Sequence, residues 1–182
     1  MRILPALAVA TAAALPTMAA PTPLRVVPDV DLARYAGNWF EIARLPNRFQ
    51  TKCAGEVAAA YAPQPDGKVS VTNTCRTTTG TTTKASGVAR RVEGQPPSVL
   101  EVRFAPAVLS FLPAVWGDYQ IIALGADYDY AVVGTPDRNY LWVLSRTPKM
   151  DPALYQRLLD DAKGQGFDVA KVVATRQDRT GA

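Results

Sequence analysis

Residues 37–49 read "GNWFEIARLPNRF". After the glycine, apolar and polar side chains mix with the short period of a half-buried strand, and Leu-Pro-Asn then breaks the run. This predicts a strand over 38–44 followed by a turn. The same signature recurs along the chain. "GEVAAAY" (55–61) leads through the Asp-Gly turn of "PQPDGK" into "VSVTNTC" (69–75). Further strands are predicted over 84–91, 99–104, 118–124, 129–134 and 139–146. In "VLEVRF", Leu100, Val102 and Phe104 share one face while Glu101 and Arg103 share the other.

Eight strands in succession, joined mostly by short turns, favour antiparallel up-and-down pairing. The strands within 118–146 are apolar on both faces, so their outer side needs a cover. "KMDPALYQRLLDDAKGQGFDV" supplies it, with Asp151 as N-cap, Pro152 in the first helical turn and Leu154, Leu158 and Ala162 on one stripe. Gly164 or Gly166 ends the helix. A short final strand is predicted over 169–175. The fold class is therefore all-β: an eight-stranded antiparallel up-and-down barrel with a C-terminal helix packed outside and a short last strand. Such a barrel is wide enough to hold one small apolar ligand.

Strand direction brings three remote segments to one end. Gly37 and Trp39 start the first strand, Asp127 and Tyr128 lie in the turn before the seventh, and Arg146 leaves the eighth. Arg146 stacked on the Trp39 ring would plug that end, at about 0.5–2 kcal/mol. The turns 45–54, 77–82, 105–117 and 135–138 then surround the other end, which is predicted to be open.

At 182 residues, with 48% hydrophobic and 20% charged residues, the chain fits one globular domain. Net charge is +4 and the basic residues are scattered, with no basic stripe carrying aromatics, which argues against nucleic acid as a partner. There is no histidine. That removes a Ser-His-Asp triad, His-rich zinc sites and the usual haem ligand, and neither a metal nor a cofactor is implied.

The start, "MRILPALAVATAAALPTMAAPTP", has one arginine, an apolar run and then small residues, as in a secretory signal cut after Ala19; an uncleaved membrane anchor is the alternative. The expected organisation is a signal peptide over 1–20, a Pro-rich lead over 21–29, the barrel domain over 30–177 and a tail over 178–182. Export to an oxidising compartment makes a disulfide between Cys53 and Cys75 the default, with about one bulge needed in their hairpin.

The glycine-x-tryptophan of strand one, the Asp-Tyr turn and the arginine closing strand eight resemble the three shared regions of the lipocalin family. "YAGNWFEIARLPNRF" and "YAVVGTPDRNYLWVLSRTP" are similar to bacterial lipocalins of the apolipoprotein D-like group, over about Val30 to Gln177. The resemblance implies an extracytoplasmic carrier of fatty acids, phospholipids or lysophospholipids, tied to membrane lipid upkeep under stress. Bacterial members are often lipoproteins with a cysteine just after the signal. Here no cysteine precedes Cys53, so a soluble periplasmic or secreted form is expected, with outer-membrane association as a further option.

The resemblance also points Trp142 into the barrel; packing outward beneath the helix is the alternative. Tyr61, Tyr119 and Phe104 are the other expected wall or floor residues, with Tyr119 on the face of Ile121 and Ala123. For all of them an ordinary filled core is the competing reading. Small residues at Ala58, Ala59, Ala60, Ala85, Gly87 and Ala123 favour a cavity. The loop "APAVLSFLPAVWG" (105–117) puts Phe111 and Trp116 at the mouth, where it could meet a ligand, a membrane surface or a second copy in a homodimer. Arg48, with Lys52 and Arg138, could meet a headgroup at the rim. The leading function is lipid binding and transport without catalysis. The alternative is a lipocalin-fold enzyme acting on an apolar lipid or isoprenoid, which would have to work through Glu, Asp, Tyr or Lys.

Overall fold

The computed structural model describes residues 22–178. The expected signal peptide, its cleavage site and the end of the tail lie outside the described residues. Eight strands follow one another: β1 Gly37–Arg44, β2 Cys53–Pro63, β3 Val69–Thr77, β4 Thr82–Arg91, β5 Val99–Arg103, β6 Gly117–Leu124, β7 Tyr130–Gly134 and β8 Leu141–Ser145. Each pairs antiparallel with the next, and β1 pairs with both β8 and β2, which closes the barrel. Closure gives each of the eight strands a partner on both sides.

The turns sit where their residues demand. Gly67 (φ +79) completes the β2–β3 hairpin after Asp66, and Gly80 (φ +81) the β3–β4 hairpin. Both angles lie in the left-handed region that glycine enters without cost. One element escapes the strand-by-strand reading. A single helical turn, α1 (Leu32–Tyr35), precedes β1, capped by Asp31, whose carboxylate accepts from the backbone N–H groups of Ala33 and Arg34.

Two bulges decide which residues face where. In β1 the register shifts between Glu41 and Ala43, and in β6 between Ile121 and Ala123. Each inserts one residue, so the period of two slips and the following side chains change face. Trp39 and Ile121 point into the barrel, whereas Ala43 and Ala123 pack outside. The expectation that Ala123 shares the face of Tyr119 is thereby corrected.

The outer core lies beneath α2 (Pro152–Gly164), whose N-cap Asp151 accepts from the Leu154 N–H at 2.8 Å. Leu158 and Ala162 of α2 pack with Ala43, Val132, Leu141, Val143 and Phe167. Phe167 presses on Gly134, where an added Cβ would stand 2.5 Å from its ring. The apolar outer faces of β7 and β8 are covered as their sequence requires.

The final strand is shorter than expected. A 3-10 turn occupies Val169–Lys171, and only Val173–Ala174 form β9. β9 pairs with the upper half of β1 through Ala43↔Ala174 and Arg44↔Val173. The ladder from β1 to β2 ends at Phe40↔Ala58, and the C-terminal segment fills the gap above it. Thr175 N–H donates to the Ile42 carbonyl, and Glu56 N–H to the Arg176 carbonyl. The Gln177 side-chain amide donates to the Glu41 and Val57 carbonyls, both at 2.8 Å.

Candidate functional site

The barrel has a sealed floor. Arg146 stands 3.8 Å from the centre of the fully buried Trp39 ring. It donates to the carbonyls of Tyr128, Asn38, Arg34 and Tyr35. Trp39 Nε1–H donates to the Tyr35 carbonyl at 2.8 Å. Gly37 (φ +95) makes room, since a Cβ there would sit 3.3 Å from the guanidinium. Tyr128 contributes its backbone carbonyl and, through its ring, a contact with Arg34 at 4.1 Å. Asp127 is exposed in its turn, and Arg146 engages the backbone beside it.

Above this plug lie three phenols. The Tyr119 hydroxyl is 2.8 Å from that of Tyr35 and 2.9 Å from that of Tyr61. Burial raises all three hydroxyl pKa values, that of Tyr61 to about 12, so each keeps its proton. The space left among them, bounded also by Leu32, Val69, Ala89, Leu100 and Val102, is about 10 Å³, room for at most about one water.

Along β4, β5 and β8, inward-facing residues then pass from buried to exposed. Ala89 is buried, Gly87 half-buried and Ala85 exposed on β4. Leu100 is buried, Val102 half-buried and Phe104 44% exposed at the end of β5. On β8 the order is Leu144 buried, then Trp142 half-buried; Tyr140, just ahead of the strand, is half-buried as well. Trp142 packs against the inner core and takes the lumen-facing position. Phe104 lies over Gly87, where a Cβ would meet its ring at 2.8 Å and the Arg103 carbonyl at 2.6 Å. The result is a shallow cup over a packed floor.

One wall of the cup is aromatic. Tyr140 stacks on Trp142 with centroids 5.8 Å apart, and Phe49 tilts against Tyr140 at 5.5 Å. Arg48 lies 5.1 Å from the Phe49 ring, at the rim. Beside this ladder sits a polar cluster. Gln50 accepts from Trp142 Nε1–H and donates to Glu41. Glu41, only 3% exposed, also accepts from the Thr175 hydroxyl and from Arg44 Nη1. Burial pushes the Glu41 carboxyl above its ordinary range, against the pull of these donors and of the Arg44 charge.

The remaining expected residues are distributed differently. Phe111 is 75% exposed on the 105–117 connection. Trp116 does not enter the cup: it lies on the outer wall, 3.8 Å from the guanidinium of Arg90 and 5.3 Å from that of Arg103. Arg138 is taken up by the carbonyls of Gln165, Pro136 and Thr22. Cys53 and Cys75 form the disulfide, with Cα atoms 5.6 Å apart, and β2 accommodates it through register shifts at Gly55. Sequence reasoning missed Tyr140, Phe49, Gln50, Glu41 and Arg44. Strict alternation from Trp39 would turn Arg44 outward, and only the bulge at Ile42 brings it to the inner face opposite Trp142.

Among the described residues no group of three His, Cys, Asp or Glu side chains could hold a metal. What the cup offers is apolar and aromatic surface with a few polar groups, the composition of a small-molecule site.

The lipocalin-like domain family matches residues 30–177. The outer membrane lipoprotein Blc of Escherichia coli K12 is 38% identical over 181 residues, covering 97% of this chain and 98% of that protein. Mouse apolipoprotein D is 29% identical over 158 residues, covering 82% of this chain and 78% of its own. Lobster apocrustacyanin A1, a solved structure, superposes with a TM-score of 0.65 at 18% identity, over 87% of this chain and 94% of that one. It shares the fold.

Proposed function

The chain belongs to the lipocalin family, and on that premise we propose that it binds and carries a small hydrophobic ligand outside the cytoplasm. The ligand is a fatty acid or lysophospholipid, its acyl chain in the cup against Trp142, Tyr140 and Phe104. The observation that carries this reading is the gradient of exposure along β4, β5 and β8. A barrel packed to its rim would bury these inward positions, and here they stand open above a filled floor. Burying acyl methylenes contributes about 0.8 kcal/mol each, less the cost of ordering the chain. The exposed Phe49, Val108 and Phe111 surround the same opening and would touch a membrane surface during loading. No helix among the described residues is long and apolar enough to cross a membrane. The name of the Escherichia coli relative, an outer membrane lipoprotein, supports an extracytoplasmic setting.

The test is lipid titration followed by tryptophan emission and native mass spectrometry. Of the chain's three tryptophans, Trp39 lies in the plug and Trp116 on the outer wall. Quenching by palmitate or lysophosphatidylcholine is expected to persist in Trp116→Phe and to vanish in Trp142→Ala, together with the bound mass. A wild-type protein that gains no lipid mass and shows no quenching would overturn the proposal.

A further inference from the structure

β4 and β5 are unequal partners. β4 spans Thr82–Arg91, whereas β5 spans only Val99–Arg103, and their ladder runs from Arg91↔Leu100 to Val88↔Arg103. Beyond that ladder Thr82 to Ser86 pair with β3 on one side alone. Among the described residues no backbone hydrogen bond joins these five to any other segment. Alternate residues of an antiparallel strand turn their N–H and C=O groups to opposite sides, so this edge keeps unfilled donors and acceptors. Thr82 to Ser86 are all exposed, on both faces of the strand. Five residues of strand measure about 17 Å, and along that length the wall lacks a neighbour.

The gap opens into the cup. Ala89 belongs to the inner core, and the β3–β4 register runs without a shift from Val69↔Ala89 to Arg76↔Thr82. Gly87, Ala85 and Thr83 therefore share its inward face. The chain that would prolong β5 leaves the sheet instead. After Phe104, which lies over Gly87, it forms two 3-10 turns, Ala107–Leu109 and Pro113–Val115. Its end is tied to the outside of the barrel, where Trp116 packs on Arg90 and donates from Nε1 to the Ser110 carbonyl at 2.8 Å.

The borders of the gap suit a lipid surface. Phe104, Val108, Phe111 and Leu112 are exposed on one side. No carboxylate occurs from Thr77 to Val92 or from Val102 to Gly117. Lys84 stands on the free edge, with no ion-pair partner among the described residues. Exposed apolar side chains beside a cation and no anion match a bilayer that contains anionic lipids. A second copy of this chain matches less well. The edge paired antiparallel with its own copy about its midpoint would set Lys84 against Lys84.

We propose that the cup is loaded from the side: an acyl chain leaves an anionic bilayer through the gap between the upper half of β4 and Phe104, with Val108, Phe111 and Leu112 seated in the lipid surface. The inference rests on the carrier reading above and adds to it a route and a docking face. Phe49 belongs to the β1–β2 connection, which the strand order puts across the mouth from the β5–β6 connection. The two sides of the mouth are therefore distinguishable by experiment.

The experiment follows a fluorescent fatty acid into the mature protein, from vesicles of phosphatidylcholine and phosphatidylglycerol and, separately, from water. The ratio of the two uptake rates should fall about tenfold or more in Val108→Ser/Phe111→Ser. It should fall about fivefold in Lys84→Glu, and on vesicles of phosphatidylcholine alone Lys84→Glu should match wild type. A nitrobenzoxadiazole label on Phe111→Cys, with the native disulfide intact, should brighten on the anionic vesicles more than one on Phe49→Cys. Equal brightening of the two labels would show docking by the whole mouth and overturn side loading. An unchanged ratio in both variants, or no brightening of the Phe111→Cys label, would overturn the lipid face. Each of these results leaves the carrier reading standing. A wild-type protein that takes up the fatty acid from neither source would overturn that reading, and this one with it.

Discussion

The guanidinium carbon of Arg146 lies 3.8 Å from the centre of the Trp39 indole, over the face of a ring that solvent does not reach. One residue follows the eighth strand and the other belongs to the first, so this contact locks the end of the barrel to its beginning. Replacing Arg146 by methionine keeps the aliphatic stem but removes the charge and the donors to the carbonyls of Arg34, Tyr35, Asn38 and Tyr128. The expected loss is about 3 kcal/mol, from the cation–π contact and the orphaned acceptors together. Urea unfolding measures it, and a loss below about 1 kcal/mol would mean that the plug does not depend on the arginine.

The disulfide should act on the other end. Cys53 and Cys75 are 22 residues apart, and a loop of that size restrains the unfolded chain by about 3 kcal/mol. The Cys53→Ala/Cys75→Ala variant is expected to lose roughly that amount. Its hydrogen exchange should rise first in the upper halves of β2 and β3, while the floor around Trp39 stays protected. Uniform loss of protection would contradict this separation of rim and floor.

Tyr119 bridges two other phenols, and Tyr119→Phe leaves the hydroxyls of Tyr35 and Tyr61 without their partner. Stability should fall by about 2 kcal/mol. The wild type carries a pH signature as well. Burial raises the Tyr61 hydroxyl from 10.0 to about 12, so the folded state keeps a proton that the unfolded state releases. Stability is therefore full below pH 10 and falls as pH rises from about 10 to about 12. Tyr61→Phe should flatten part of that fall in denaturation midpoints taken across the range.

Glu41 gives a second pH signature at the other end of the scale. Its carboxyl is raised by burial, so the folded state holds the proton more tightly than the unfolded one. The sign follows: its contribution is largest at and below the ordinary glutamate pKa and is lost as pH rises through the raised folded value. Subtracting the stability profile of Glu41→Gln from that of wild type should leave a component that declines with rising pH in this window. A component that rises instead would show that the Arg44 charge outweighs desolvation.

The strand order, the covering helix and the plug were legible because each rests on local chemistry or on counting. Asp151 and Pro152 announce the helix, Asp66-Gly67 the hairpin, and the direction of successive strands brings Arg146 to Trp39. What alternation cannot carry is a bulge. One extra residue near Ile42 and another near Ile122 reverse the faces that follow, which is why Ala123 lies under the helix and Arg44 lies inside. The α1 turn spans four residues, too few for a helical period to register, although Asp31 is a plain cap. Trp116 was expected at the mouth on hydrophobicity. Arg90 and Arg103, on the outer faces of β4 and β5, draw its ring to the outer wall instead.

The wall between β1 and β2 is completed by Thr175, Arg176 and Gln177, the last part of the barrel to be synthesised. A nascent chain that has reached Val172 already contains all eight strands. Until the next few residues emerge, the Ile42, Glu41 and Val57 carbonyls and the Glu56 N–H lack the partners they have in the finished fold. Synthesis from N- to C-terminus thus leaves this seam ajar to the end, and its closure is a late, long-range event that joins the first strand to the last residues of the wall.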